Sequence, residues 1–273
     1  MSSYSGRHAE LYDIFYLDKP YDLECSFVHQ QLKELGGDKT RRILELACGT
    51  GTHALLFEKL GYELVATDYS EDMLSIARAK ASSVQSSIKF MFQDMRSMNL
   101  ECEPFDAAIC LFDSIGYAQT NESICQVFDG VYRNLKDDGL FIFDFWHAGA
   151  MLRYYEPLRV RRWKLSDREI LRISESKLEC GNQICHVSYD IYEFRGDGSY
   201  SNVKETQINR YFLIQEMKML LENNGFAPLK FFSGYTNEEI IHEGTWHVLA
   251  AARKKRRKDT IDENSGVLRR SGS

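Results

Sequence analysis

An apolar run, Ile43-Leu44-Glu45-Leu46-Ala47, ends abruptly in Cys48-Gly49-Thr50-Gly51, and an apolar-periodic segment, Ala54 to Leu60, follows at once. No other stretch constrains the fold as much. It predicts a buried strand, a tight glycine turn and a helix, the opening of an α/β nucleotide-binding unit. Glycines let the backbone approach a ligand that a Cβ would hold off. The helix start offers free N–H groups to whatever sits there. Gly49-Thr50-Gly51-Thr52-His53-Ala54 fits G-x-G-x-x-A, a dinucleotide fingerprint. The same residues equally fit a strand ending in an acid followed by glycines, Glu45 and then Gly49 and Gly51. Two ligands therefore compete for the turn.

The rhythm continues downstream. A strand over Glu63 to Thr67 leads to Asp68, and Ser70 makes an N-cap with Glu71 and Asp72 in the first helical turn. Further strands are expected over Ile88 to Phe92, Phe105 to Leu111 and Leu140 to Asp144, with a helix from Glu122 to Leu135 stopped by Asp137-Asp138-Gly139. Alternating strands and helices predict a mostly parallel sheet covered on both faces. After Ala150 the period changes to two: Cys185, Val187, Tyr189 and Ile191 alternate with polar neighbours, between turns at Cys180-Gly181-Asn182 and Arg195-Gly196-Asp197-Gly198. That is an antiparallel sheet with one exposed face. A helix then carries Leu213, Met217, Leu220 and Leu221, and strands near Leu229 to Phe232 and His247 to Ala252 close the chain. The expected domains are a Rossmann-like core of residues 1–150 and 213–252, a small β insertion at 151–212 and a basic tail at 253–273.

Composition narrows the function. The 273 residues are 44% hydrophobic, enough for a sizeable core. The longest apolar runs are far too short to cross a bilayer, and Met1 to Arg7 has no apolar signal core, so a cytoplasmic protein is expected. Seven scattered cysteines form no C-x-x-C pair and no metal-ligand spacing, so neither disulfides nor a metal is expected. Arg253 to Ser273 holds eight basic and three acidic residues, so the remaining body carries −11 against −6 for the whole chain. An acidic body argues against a nucleic-acid surface. The basic run reads as a solvated, disordered tail, with a docking arm for tRNA or protein as the rival reading. Cys48, with no base partner evident, reads as packing.

The glycine turn, with Ala47 where many members carry a first glycine, resembles motif I of the class I S-adenosylmethionine-dependent methyltransferases. Asp68 lies about twenty residues beyond the turn, where an acid accepts from ribose hydroxyls. The resemblance implies that Asp94, after the third strand, meets the adenine amino group. It also implies that Tyr21, Glu45, Ala47, Gly49, Gly51 and Asp68, with Tyr69, Met73, Met95 and Leu111, line the cofactor site. A helix followed by two strands, the last inserted antiparallel, is likewise similar to that fold. Glu10-Leu11-Tyr12-Asp13, Asp94-Met95-Arg96, Ser114-Ile115-Gly116-Tyr117 and Phe145-Trp146 resemble the N,N-dimethyltransferases of nucleotide-linked 3-amino-deoxysugars. Glycine and sarcosine N-methyltransferases share the Asp-Ser-Ile and N-terminal tyrosine features. The chain departs from the sugar enzymes in having Asp144-Phe145 where they often have Glu-Pro, and Tyr117 where several have histidine.

The expected reaction is methyl transfer to a small-molecule acceptor, most simply an amine, with an O-methyltransferase and a catalytically silent nucleotide-binding protein as further rival readings. Holding a deprotonated amine in line with the methyl is the protein's main task, and a tyrosine or histidine beside it suits proton handling. The candidates are Tyr12 from an N-terminal lid, and Tyr117 and His147 from loops after the fourth and fifth strands. The resemblance implies that the insertion covers the substrate or forms a homodimer contact. Seven basic residues between Arg153 and Arg172 suit a phosphate-bearing acceptor, although such residues more often form a solvated strand face.

Overall fold

The computed structural model describes residues 4–256. Two helices, α1 (Arg7–Phe15) and α2 (Tyr21–Gly36), lead into the expected unit: strand β1 (Arg42–Leu46), the glycine turn and helix α3 (Thr52–Lys59). Next come β2 (Glu63–Asp68), α4 (Glu71–Ser83), β3 (Lys89–Phe92), β4 (Phe105–Cys110), α5 (Asn121–Asn134) and β5 (Leu135–Trp146). Ser70 caps α4 as expected, its side chain accepting from the Met73 N–H. After the insertion, α7 (Ile214–Asn223), β10 (Phe226–Ser233) and β11 (His247–Lys254) complete a seven-stranded sheet of order β10-β11-β5-β4-β1-β2-β3. All neighbouring pairs are parallel except the two made by β11. That is the antiparallel insertion of the last strand expected from the sequence.

Period-two alternation along the central strands builds two cores. Phe141, Phe143 and Phe145 of β5 join Phe128 of α5 and Met217, Leu220 and Leu221 of α7 on one face. Leu140 and Ile142 point the other way, onto Val28 and Leu32 of α2 and Phe57 of α3. Burial on both faces makes these strands near-continuous apolar runs.

The insertion holds a short helix α6 (Ala148–Tyr154) and four antiparallel strands, β6 (Leu158–Lys164), β7 (Arg168–Glu179), β8 (Ile184–Arg195) and β9 (Tyr200–Arg210), in sequential order. Its inner face is partly polar: Arg172, Ser174, Glu193, Gln207 and Asn209 are all buried. It is tied to the core where Asn209 donates to the Asp113 carbonyl (3.3 Å) and Arg210 to the Gln119 carbonyl (3.1 Å).

Three boundaries differ from expectation. Helix α5 ends at Asn134, and Leu135 already pairs with Phe105, so Asp137-Asp138-Gly139 lies inside an irregular start of β5 with Asp138 at φ 61°. The acidic turn residues form a bulge: four residues of β5 lie between the pairs Leu135–Phe105 and Leu140–Ala107, opposite one residue of β4. Strand β10 begins at Phe226, ahead of the expected Leu229. The first residues of the basic run are ordered: Arg253 and Lys254 end β11, and Arg253 donates to the Leu35 carbonyl. Residues 257–273 lie outside the described residues.

Candidate active site

The turn after β1 has a left-handed backbone, with φ of 51° at Ala47, 54° at Gly49 and 74° at Gly51. Asp68, ending β2, clasps it. One carboxylate oxygen accepts from the Gly49 N–H and the other from the Ser70 N–H, both at 2.8 Å. Each oxygen keeps lone-pair capacity for a further donor. Next to it, Glu45 is 2% exposed and its Oε2 meets no donor among the described residues. Burial, with the Asp68 charge adding to it, pushes the Glu45 carboxyl up to about 8. Burial also raises Asp68, against the pull of its backbone N–H bonds. Helix α1 is tied down over the turn: the Thr50 hydroxyl donates to Asp13 (2.7 Å), and Lys80 pairs with the same carboxylate (2.6 Å).

A cluster of tyrosines lies between α1, the loop after β4 and the insertion. The Tyr4 and Tyr117 hydroxyls hydrogen-bond each other. Tyr4 stands edge-on to Tyr12 (5.7 Å between centroids), Tyr12 packs on Tyr16 (4.8 Å), and Tyr16 meets Phe112 edge-on (4.9 Å). Burial holds the Tyr4, Tyr12 and Tyr117 phenols well above 10. At that height they are neutral hydroxyls at physiological pH.

A second cluster joins the ends of β4, β5 and β11. His247 donates through Nδ1 to Asp113 (2.9 Å), the Asp113 N–H donates to Asp144 (2.9 Å), and the Tyr235 hydroxyl donates to the other Asp144 oxygen (2.9 Å). The Asp113 carboxylate raises the His247 imidazole to about 9, and burial together with Asp113 raises Asp144 to about 7. His147 belongs to neither cluster. Its Nδ1 donates to the Thr245 carbonyl (3.2 Å), its N–H bonds the Trp246 carbonyl, and burial lowers its pKa.

Residues 43–139 match the family described as "Methyltransferase domain". Over 232 residues, 85% of this chain and 90% of the relative, the sequence is 32% identical to "Putative methyltransferase YqeM" of Bacillus subtilis. The chain belongs to the S-adenosylmethionine-dependent methyltransferases. A shorter match, 31% identity over 146 residues (52% of this chain, 59% of the relative), is to the dTDP-3-amino-3,4,6-trideoxy-alpha-D-glucopyranose N,N-dimethyltransferase of Streptomyces venezuelae. Among solved structures, an S-adenosylmethionine-dependent methyltransferase from Clostridium acetobutylicum superposes with a TM-score of 0.79 at 21% identity, covering 90% of this chain and 97% of that one.

The residues of this methyltransferase fit its cofactor. A Cβ on Gly49 would meet no atom within 4 Å, so the turn leaves open space there. The Glu45 oxygen that meets no donor among the described residues suits a ligand that carries positive charge on an ammonium and a sulfonium. Gly51 has a different cause: its Cβ would lie 2.9 Å from Phe90 and 3.0 Å from Ala77, so close packing of the turn against β3 and α4 demands it. Cys48 is buried against Ala54, Ala66 and Leu74, the packing role read from the sequence.

The other expected residues spread around this edge. Met73 packs under Tyr12, Leu111 is buried at the end of β4, and Met95 rests on the main core. Tyr69 is exposed and its ring lies tilted against Phe92 at 5.4 Å. Tyr21 opens α2, edge-on to His53. Asp94 caps a 3-10 turn and is held by the Arg96 fork, which lowers its pKa. Tyr12 and Tyr117 come together through Tyr4, a residue the sequence did not single out. Nor did it single out His247, for which no local signal exists.

Two outcomes follow from the turn. Gly49→Ala costs about 1–2 kcal/mol of left-handed strain but weakens S-adenosylhomocysteine binding roughly ten-fold or more. Gly51→Ala lowers the melting temperature further, because it adds a clash. Calorimetric titration beside thermal melting separates the two, and equal binding by Gly49→Ala and wild type would contradict the open cradle. Glu45 takes up a proton on folding between its ordinary pKa and about 8, so its contribution to stability declines as pH rises through that window. Glu45→Gln should flatten the fall in melting temperature between pH 5 and pH 8 by at least ~3 °C, roughly 1 kcal/mol for a domain of this size. Parallel pH profiles for variant and wild type would refute it.

Proposed function

We propose that this methyltransferase acts on the nitrogen of a small amine, with a nucleotide-linked amino sugar as the first acceptor class and a glycine- or sarcosine-type amine as the rival. The observation that carries the reading is the group of neutral tyrosine hydroxyls enclosed between α1, the loop after β4 and the insertion. An enclosed site favours an acceptor small enough to be surrounded. The match to the amino-sugar enzyme of Streptomyces venezuelae supports the amine.

S-adenosylmethionine, when bound, supplies an activated methyl group on a sulfonium sulfur. Gly49, Glu45, Asp68, Asp94, Met73 and Leu111 are the residues we assign to holding it, with Tyr21, Ala47, Gly51, Tyr69 and Met95 around them. Asp68 uses its remaining lone pairs toward hydroxyl donors. Tyr12 and Tyr117 orient the acceptor: a neutral phenol oxygen accepts an N–H and so turns the nitrogen lone pair toward the methyl. Desolvation within the aromatic enclosure favours the uncharged amine, so no side-chain base of raised basicity is needed. His147, held on the Thr245 carbonyl, acts at most by shaping the far wall.

The decisive experiment is transfer from labelled S-adenosylmethionine to nucleotide-linked 3- and 4-amino sugars, glycine, sarcosine, small phenols and bulk tRNA. Turnover restricted to amines supports the reading, and turnover restricted to phenols or tRNA overturns it. Asp68→Ala weakens cofactor binding by roughly 1–3 kcal/mol, the loss expected when polar partners are left unpaired. An unchanged dissociation constant would remove Asp68 from the site. Tyr117→Phe lowers kcat/KM roughly ten-fold, the loss of about one hydrogen bond, while the pH–rate profile keeps its shape. A displaced pH optimum would mean that the phenol titrates during turnover.

A further inference from the structure

The basic residues between Arg153 and Arg172 do not share one environment. Arg153, Arg159, Arg162 and Arg168 pair with nearby carboxylates at 3.0, 2.9, 3.2 and 3.1 Å. Arg172 is the one of the seven that is buried, at 6% exposed. It sits at the seam between α1 and the inner face of the insertion. Four rings surround its guanidinium: Phe15 at 4.7 Å, Trp163 and Tyr189 at 5.2 Å, and Tyr16 at 5.9 Å. These rings favour the cation but leave its donors unanswered. Nε and Nη1 are buried and meet no acceptor among the described residues.

A buried cation with unmatched N–H groups is expensive to keep, and an apolar side chain would fill an aromatic box more cheaply. Its position gives a reason for keeping it. Tyr16, one of the four rings, packs on Tyr12 at 4.8 Å, and Tyr189, another, lies 5.8 Å from His8, which stacks on Tyr4, the partner of Tyr117. The guanidinium is thus about one side chain away from the hydroxyls assigned to the acceptor. A fork of N–H donors in a dry site is matched by a pair of oxygens on one anionic group.

We propose that Arg172 recognises an oxyanion, carboxylate or phosphate, carried by the methyl acceptor. The proposal rests on the reading of the tyrosine enclosure as the acceptor site. It makes the acceptor bipolar, an amine at one end and an anion at the other. A diphosphate would come from a nucleotide-linked sugar, a carboxylate from an amino acid.

The test is calorimetric titration of the full chain with sodium acetate and with sodium pyrophosphate at constant ionic strength. It is run with and without S-adenosylhomocysteine, so that a failure of cofactor binding counts against the cofactor reading while the anion result still decides Arg172. Saturable binding of one anion is expected, and the anion that binds names the acceptor's source. Arg172→Met should weaken that binding at least about ten-fold, as for loss of a charge-assisted bond, with cofactor affinity kept. Its melting temperature should be equal to or above that of wild type, the pattern of a cation held for function. Arg172→Lys keeps the charge but not the fork, and should bind the anion several-fold more weakly than wild type. Three results would each overturn the proposal: no anion bound by wild type, wild-type affinity in either variant, or an Arg172→Met protein that is destabilised yet still binds the anion.

Discussion

The Asp68 carboxylate is the contact on which the rest of the site depends. By accepting from Gly49 and Ser70 it joins the turn after β1 to the start of α4, so two backbone N–H groups and a left-handed turn are stabilised by one side chain. Its charge also falls on Glu45, the neighbouring buried acid whose Oε2 meets no donor among the described residues. Two carboxyls desolvated side by side oppose folding, and local strain of this kind persists only where the surroundings over-determine it. Here the surroundings are the parallel strands β1, β2 and β4, buried on both faces.

Helix α1 and the insertion complete what the sheet begins. The sheet places acids at its carboxyl edge, where open α/β folds bind ligands. Asp13 of α1 reaches down to Thr50 and Lys80, which draws Tyr12 and Tyr16 over that edge. From the other side, β9 meets the loop after β4 through Asn209 and Arg210. The polarity therefore changes across the enclosure: buried carboxyls at the glycine turn, neutral phenols between, and a guanidinium against the insertion. A cationic cofactor and the proposed anion-bearing acceptor are complementary to the two ends of that gradient.

Much of this was legible locally. Strand, turn and helix around Gly49 are written in adjacent residues, and so are the Ser70 cap and the period-two strands of the insertion. The misread start of β5 shows the limit. Asp137-Asp138-Gly139 has the composition of a turn, but pairing of Leu135 with Phe105 sets the strand's beginning, and pairing is not local. Within the candidate site, Tyr12 and Tyr117 were proposed from motifs. Tyr4, which links them, and His247, which pairs with Asp113 across 134 residues, carry no motif at all. Arg172 was visible only as one of seven basic residues, because inward and outward positions on a strand differ by register, which depends on the neighbouring strands.

By itself, the sequence determined the α/β class, the cofactor turn, the acids at the ends of the strands and the inserted antiparallel sheet. These depend on periodicity and on backbone conformations that few residues other than glycine adopt readily, both of which are properties of short segments. Tertiary structure alone decided that the tyrosines converge as neutral hydroxyls, that His147 stands apart from them, and that Arg172 is buried with Nε and Nη1 unmatched among the described residues. Those outcomes depend on desolvation and on contacts between residues far apart in the chain. A side chain's charge state and partners are set by what surrounds it in space.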